Sequence, residues 1–163
     1  MYGVFAPRDD KEEVTMDART YLEEIRRLGD SIAEYEREIE RLRTELESIS
    51  GVSYDSISVM ASVSGDTLTN KVARIMELEN QVSDTMIERA ERRAQIIAQI
   101  NKMPNRVHMT LLIKRYVDSL KFEQIAIDMN YSYDRIIHIH KEALRSFEEM
   151  YADALETFEE LCS

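Results

Sequence analysis

From Leu22 the apolar residues recur as Leu22, Ile25, Leu28, Ile32, Tyr35, Ile39, Leu42, Leu46 and Ile49, and after Leu28 the intervals alternate four and three. Such a seam presents one helix face to a partner and leaves the Glu and Arg between to water. It predicts a helix from about Thr15 to Ser50, roughly 50 Å long at ~1.5 Å per residue, which cannot bury its stripe alone. A second stripe follows in Leu68, Val72, Ile75, Val82, Met86, Ala90, Ile97 and Ile100. Asp66 or Thr67 is placed to cap its start, and Pro104 marks its end. Two consecutive stripes of similar length supply each other's partner as an antiparallel hairpin. A parallel dimeric coiled coil satisfies the same pattern. Between them "SGVSYDSISVMASVSGD" is Ser-rich, and Ile57, Val59, Ala61 and Val63 alternate as in a short strand, so a loop with some extended structure is expected.

The last third has a different grammar. Val107, Leu111, Leu112, Val117 and Leu120 begin a new helical pattern over about Arg106 to Ser119. Ala126 is then the small residue where two helices can cross closely. Four positions on, Asn130 falls where a tight turn needs positive φ, which Asn tolerates next best after Gly. Ile136 and Ile139 face back onto Ile125 and Met129, and Ser132 is a good N-cap between the two helices. These offsets are those of a helix-turn-helix, although an ordinary helical turn in an all-α domain can share them. The apolar series continues through Phe147, Met150 or Tyr151, Ala154, Phe158 and Leu161. This predicts one long helix from Tyr133 to about Leu161, whose end packs on the hairpin or pairs with a second copy. The expected organisation is all-α. A tail (1–14) precedes a helical hairpin or coiled coil (15–103) and a helix-turn-helix unit with an acidic C-terminal helix (105–163).

"LLIKRYVDSLKFEQIAIDMNYSYDRIIHIHKEALRSF", Leu111 to Phe147, resembles region 4 of bacterial sigma factors. The Arg-Tyr pair before the turn (Arg115, Tyr116), the Glu-x-Ile-Ala of Glu123 to Ala126, the Ser-led helix and the closing Ala143-Leu144 carry the likeness. With "LEEIRRLGDSIAEYEREIERLR" and "VARIMELENQVSD" ahead of it, the chain resembles small phage proteins of the ArpU/RinA type. These are sigma-region-4-like regulators of phage late genes from Gram-positive hosts. The resemblance implies double-stranded DNA as ligand, host RNA polymerase as a partner and no cofactor. Two departures stand out. Ser119, Leu120, Lys121 and Phe122 replace the family's Gly-Lys-Thr-Trp, which removes a Thr cap. Ile137 stands where sigma factors often carry a basic residue.

Charge qualifies that expectation. The chain of 163 residues carries 32 Asp+Glu against 21 Lys+Arg, a net charge of −11. Yet residues 105–146 hold seven Lys/Arg against five acids, while residues 147–163 hold six acids and no base. One mildly basic patch on an acidic body fits a modest, salt-sensitive DNA contact positioned by a partner. At the start of a helix in the major groove, Tyr133, Asp134 and, one turn on, His138 reach base edges. Asp134 can accept from cytosine N4, and Tyr133 can pack on a thymine methyl. Arg135, Lys141 and Lys121 are phosphate candidates. Each of these six can equally be a solvated surface residue. A homodimer would suit a two-fold-symmetric DNA site.

Other functions have less support. There is no phosphate-binding Gly loop, nucleophile elbow or zincin motif, so no enzyme is expected. His138 and His140, two apart, point to different helix faces and cannot share a metal. No apolar run approaches the ~20 residues of a membrane span. The start lacks signal-peptide character, and the single Cys162 supports no disulfide framework. A cytoplasmic place in the bacterial host cell is therefore expected. Two rivals to the regulator remain: a small terminase subunit binding a packaging site, and an acidic protein-binding adaptor that never touches DNA.

Overall fold

The computed structural model describes residues 17–50 and 64–162. The expected N-terminal tail and the Ser-rich connection with Ile57, Val59, Ala61 and Val63 lie outside those residues. Among the described residues the chain is all-helical, with no strand. The order is α1 (Ala18–Ser50), α2 (Ser64–Ile100), α3 (Arg106–Leu112), a π-helical turn (Ile113–Val117), α4 (Phe122–Met129) and α5 (Tyr133–Cys162). No described helix is long and apolar enough to cross a membrane.

In α1 the heptad seam is the buried side. Leu22, Ile25, Leu28, Ile32, Ile39 and Leu42 are buried, with Tyr35 and Leu46 half-buried beside them. The helix start is capped twice. Asp17 Oδ1 accepts the N–H groups of Arg19 and Thr20, and Glu148 Oε1 of α5 accepts the N–H of Ala18 at 3.2 Å.

α1 and α2 run side by side in opposite directions. Lys71 Nζ lies 2.8 Å from Glu45 and Arg43 2.6 Å from Glu79 towards one end, while Arg89 Nε donates to the Ile25 carbonyl at 3.0 Å towards the other. Gly29 allows that approach, because a Cβ there would sit 3.2 Å from the Arg89 guanidinium. α2 departs from its predicted pattern in two ways. It begins at Ser64, so neither Asp66 nor Thr67 is its cap; Asp66 lies in the first turn, where a carboxylate offsets the helix dipole. Its buried residues are Ile75, Leu78, Ile96 and Ile100, whereas Leu68, Val72, Met86 and Ala90 are exposed. The sequence offers two apolar flanks on this helix, and α1 covers the one that includes Leu78 and Ile96.

Two clusters form the core. The smaller joins Ile39 and Leu42 to Ile75 and Leu78 along the helix pair. The larger gathers Tyr21, Leu22 and Ile25 of α1, Ile96 and Ile100 of α2, Leu111 and Leu112 of α3, and the inner faces of α4 and α5. Residues on both sides of 103–105 thus share one core.

The expected helix over Arg106 to Ser119 is shorter and changes pitch. Asn105 Oδ1 caps it, accepting the N–H groups of Val107 (2.9 Å) and His108 (3.3 Å). After Leu112 the turn widens to π: Asp118 N–H donates to the Ile113 carbonyl, Leu120 N–H reaches back to Lys114, and Ser119 takes φ 58°. The long α5 also differs from a single regular helix. It is interrupted at Tyr151 (φ −129°, ψ 26°), whose hydroxyl donates to the Gln99 carbonyl at 2.8 Å. Phe147 and Leu155 are buried in the larger core, so this part of the tail's apolar series is occupied within the chain.

Candidate nucleic-acid interface

The α4–α5 unit is built from local signals and from a side-chain clamp at the entry to α4. Lys121 precedes α4 in extended conformation and carries no acceptor for a cap. Only Gln124 Oε1 takes part, accepting the Lys121 N–H at 3.4 Å. Arg115 holds the entry to α4 by contacts of a different kind. Its guanidinium donates to the Leu120 carbonyl at 3.0 Å and lies 4.5 Å above the Phe122 ring, a cation–π contact that pins the entry.

α4 ends at Asn130, which is left-handed (φ 56°, ψ 44°). The Tyr131 N–H donates to the Ala126 carbonyl at 3.0 Å and the Asn130 N–H to Ile127 at 3.2 Å, which satisfies the last carbonyls of the helix. Two residues on, Ser132 Oγ accepts the Arg135 N–H at 3.2 Å and starts α5. Ile125, Ala126, Ile136 and Ile139 all enter the larger core, with Met129 at its edge.

Behind this junction lies a polar pair that the spacing alone does not reveal. His140 is 4% exposed, with its Nε2 2.8 Å from the Tyr116 hydroxyl and its ring edge-on to Phe122 at 4.9 Å. Burial, then the nearby charges of Arg19 and Arg115, push its pKa down to about 4. Burial likewise pushes the Tyr116 hydroxyl up to about 12. The pair is therefore neutral at neutral pH and serves as part of the core.

All six residues singled out from the sequence are exposed. The structure groups five of them on α5. Asp134, His138 and Lys141, spaced four and three, share the outer row opposite the buried Ile136, Ile139, Ala143 and Phe147. Tyr133 opens the helix, and Arg135 flanks the row. Lys121 stands apart at the entry to α4, and among the described residues no hydrogen bond or ion pair links it to the row. Arg145 belongs to the row but was not singled out; its signal is the continuation of the spacing, four beyond Lys141. The row is not purely basic. His138 Nε2 lies 3.2 Å from Glu142 Oε1. Ile127 projects from α4 at 80% exposure.

No family model, curated protein sequence or solved structure matches the chain.

Proposed function

We propose that α4 and α5 are the two helices of a helix-turn-helix that binds duplex DNA, with the first half of α5 entering the major groove. The chain would be a sequence-specific regulator of phage or prophage genes, late genes among them, acting with host RNA polymerase. The observation that carries the DNA-binding part is the junction itself. A left-handed Asn130 follows a buried Ala126 by four residues, and the outer row of Asp134, His138, Lys141 and Arg145 is left open to solvent. The phage setting and the polymerase rest on the sigma-region-4-like sequence of Leu111 to Phe147.

In this arrangement Tyr133, Asp134 and His138 read base edges, while Arg135, Lys141 and Arg145 meet phosphates. The intervening Glu142 and the net charge of −11 keep the electrostatic term small, so a second anchor such as polymerase supplies part of the affinity. The test is titration of the full chain against a site selected from random duplexes and a scrambled control, at several salt concentrations. His138→Ala should alter the preferred sequence, with about 1–3 kcal/mol lost at one base pair. Arg135→Ala should weaken both duplexes alike and lower the log–log salt slope by about one. A folded chain that binds no duplex even at low salt would sink the proposal and turn the mixed-charge row into a protein-binding surface.

A further inference from the structure

The two long helices treat their apolar residues differently. α1 exposes no large hydrophobic among the described residues, whereas α2 leaves Leu68, Val72, Met76, Met86 and Ile87 between 42% and 61% exposed. These side chains do not scatter around α2. At ~100° per residue they fall within an arc of about 100°, its centre a little over a quarter of a turn from that of Ile75, Leu78 and Ile96, which α1 covers, with Leu68 and Met86 on the edge nearest Ile75. Along this flank, positions 72, 76, 79, 83, 86 and 90 alternate in steps of four and three, which is the period of a second seam.

The composition of that seam decides what pairs with it. It is symmetric about residue 81: Val72 and Ala90 each lie nine positions away, Met76 and Met86 five, Glu79 and Ser83 two, and Leu68 and Ala94 thirteen. In an antiparallel pair of α2 helices centred there, the bulky Leu68 and Val72 meet the small Ala94 and Ala90, and Met76 meets Met86. The flexible thioethers fill such a layer readily. Glu79, ion-paired with Arg43 of its own α1, lies opposite Ser83, whose hydroxyl donates to its own helix at the Glu79 carbonyl. A parallel pair would instead stack Ala90 on Ala90, leaving a gap, and would place two Glu79 carboxylates against each other. α2 itself carries six acids and five bases, so charge opposes self-pairing far less than the whole-chain value suggests.

We propose that this flank of α2 is a homodimer interface in which two copies pair antiparallel about a two-fold axis beside residue 81. The seam from Leu68 to Ala94 is about 40 Å long at ~1.5 Å per residue. Each copy's α4–α5 unit packs at the Ile96–Ile100 end of α2, so the two units stand at opposite ends of the dimer, roughly 55 Å or more apart by the same rise.

Sedimentation equilibrium of the full chain across the micromolar range tests this, with twice the 19.1 kDa chain mass expected. Met76→Glu combined with Met86→Glu should weaken the dimer at least about tenfold in Kd. Helicity should stay at the wild-type value, since both side chains are exposed in the single chain, while the melting temperature should lose its dependence on protein concentration. Orientation is read by oxidative cross-linking on a Cys162→Ser background. Met76→Cys and Met86→Cys chains should cross-link when mixed and not separately, because each residue lies ~15 Å along the axis from its own copy. A monomer at all concentrations, or a dimer indifferent to the paired Glu substitutions, overturns the interface. Cross-linking of Met76→Cys with itself overturns the antiparallel register.

Discussion

Ser119 and Asn130 are the two non-glycine residues with positive φ among the described residues, at 58° and 56°. Each bears a local cost that glycine would relieve. Ser119→Gly should therefore stabilise by about 0.5–1 kcal/mol, a rise of ~2–4 °C in melting temperature by circular dichroism. Asn130→Ala should destabilise by about 1 kcal/mol, because alanine tolerates the left-handed region less well and the turn cannot relax without opening the α4–α5 angle. His140 sets a pH dependence. An unfolded histidine binds its proton near pH 6.5, while burial holds folded His140 at about 4. Between those values the unfolded chain takes up a proton that the folded chain refuses. The contribution of neutral His140 is thus complete above pH 6.5 and is lost as pH falls towards 4, by at most about 3 kcal/mol. Urea denaturation from pH 7.5 to 5 should show that loss in the wild type. His140→Gln, which keeps a hydrogen-bonding group for Tyr116 but cannot titrate, should flatten it.

At the scale of elements, the α4–α5 crossing depends on small volume at Ala126 and the α5 tail on large volume at Phe147. Ala126→Leu should cost about 1–3 kcal/mol by overpacking a filled core. Ile127→Ala, one residue away and 80% exposed, should change stability by less than about 0.5 kcal/mol. Phe147 is fully buried, with its ring 6.0 Å from Tyr21 and 4.8 Å from Tyr151. Phe147→Ala should cost about 3–5 kcal/mol in chemical denaturation. Ending the chain after Ser146 removes Phe147, Tyr151 and Leu155 from the packing and the Glu148 cap from α1. The acidic tail is therefore a structural element as well as a store of negative charge, and its deletion should lower stability before it changes any DNA contact.

For the whole molecule, the shared core is the governing fact. Tyr21, Leu22, Ile96 and Ile100 of the long helices pack in the cluster that holds Ile125, Ile136 and Phe147. Residues 105–163 expressed alone would expose the partner side of that cluster and should lack a cooperative thermal transition, which differential scanning calorimetry would reveal. Charge also acts at this scale. If the α5 row meets DNA, Arg145→Ala should weaken selected and scrambled duplexes alike, with a salt slope lower by about one. An unchanged slope would leave Arg145 outside the phosphate contacts.

The sequence by itself determined what short spacing and backbone constraint can encode. It defined the buried seam of α1, the left-handed Asn130, the Ser132 cap and the inward Ile136 and Ile139, each governed by neighbours within a turn or two. It could not choose between the two apolar flanks of α2, because both have helical period and only α1 decides which is covered. The Arg115 clamp on Leu120 and Phe122 was hidden for a related reason: the sequence marks Arg115 only as half of an Arg-Tyr pair, and the π-helical turn aims it at the entry to α4. His140 looked like one of two histidines two positions apart until Tyr116 and Phe122 closed over it. The tail's apolar series allowed either a partner chain or the chain's own hairpin, and for Phe147, packed against Tyr21, and Leu155, in the same cluster, the chain's own core is the partner. Periodicity specifies that a face must be buried; only the three-dimensional arrangement of distant segments specifies against what.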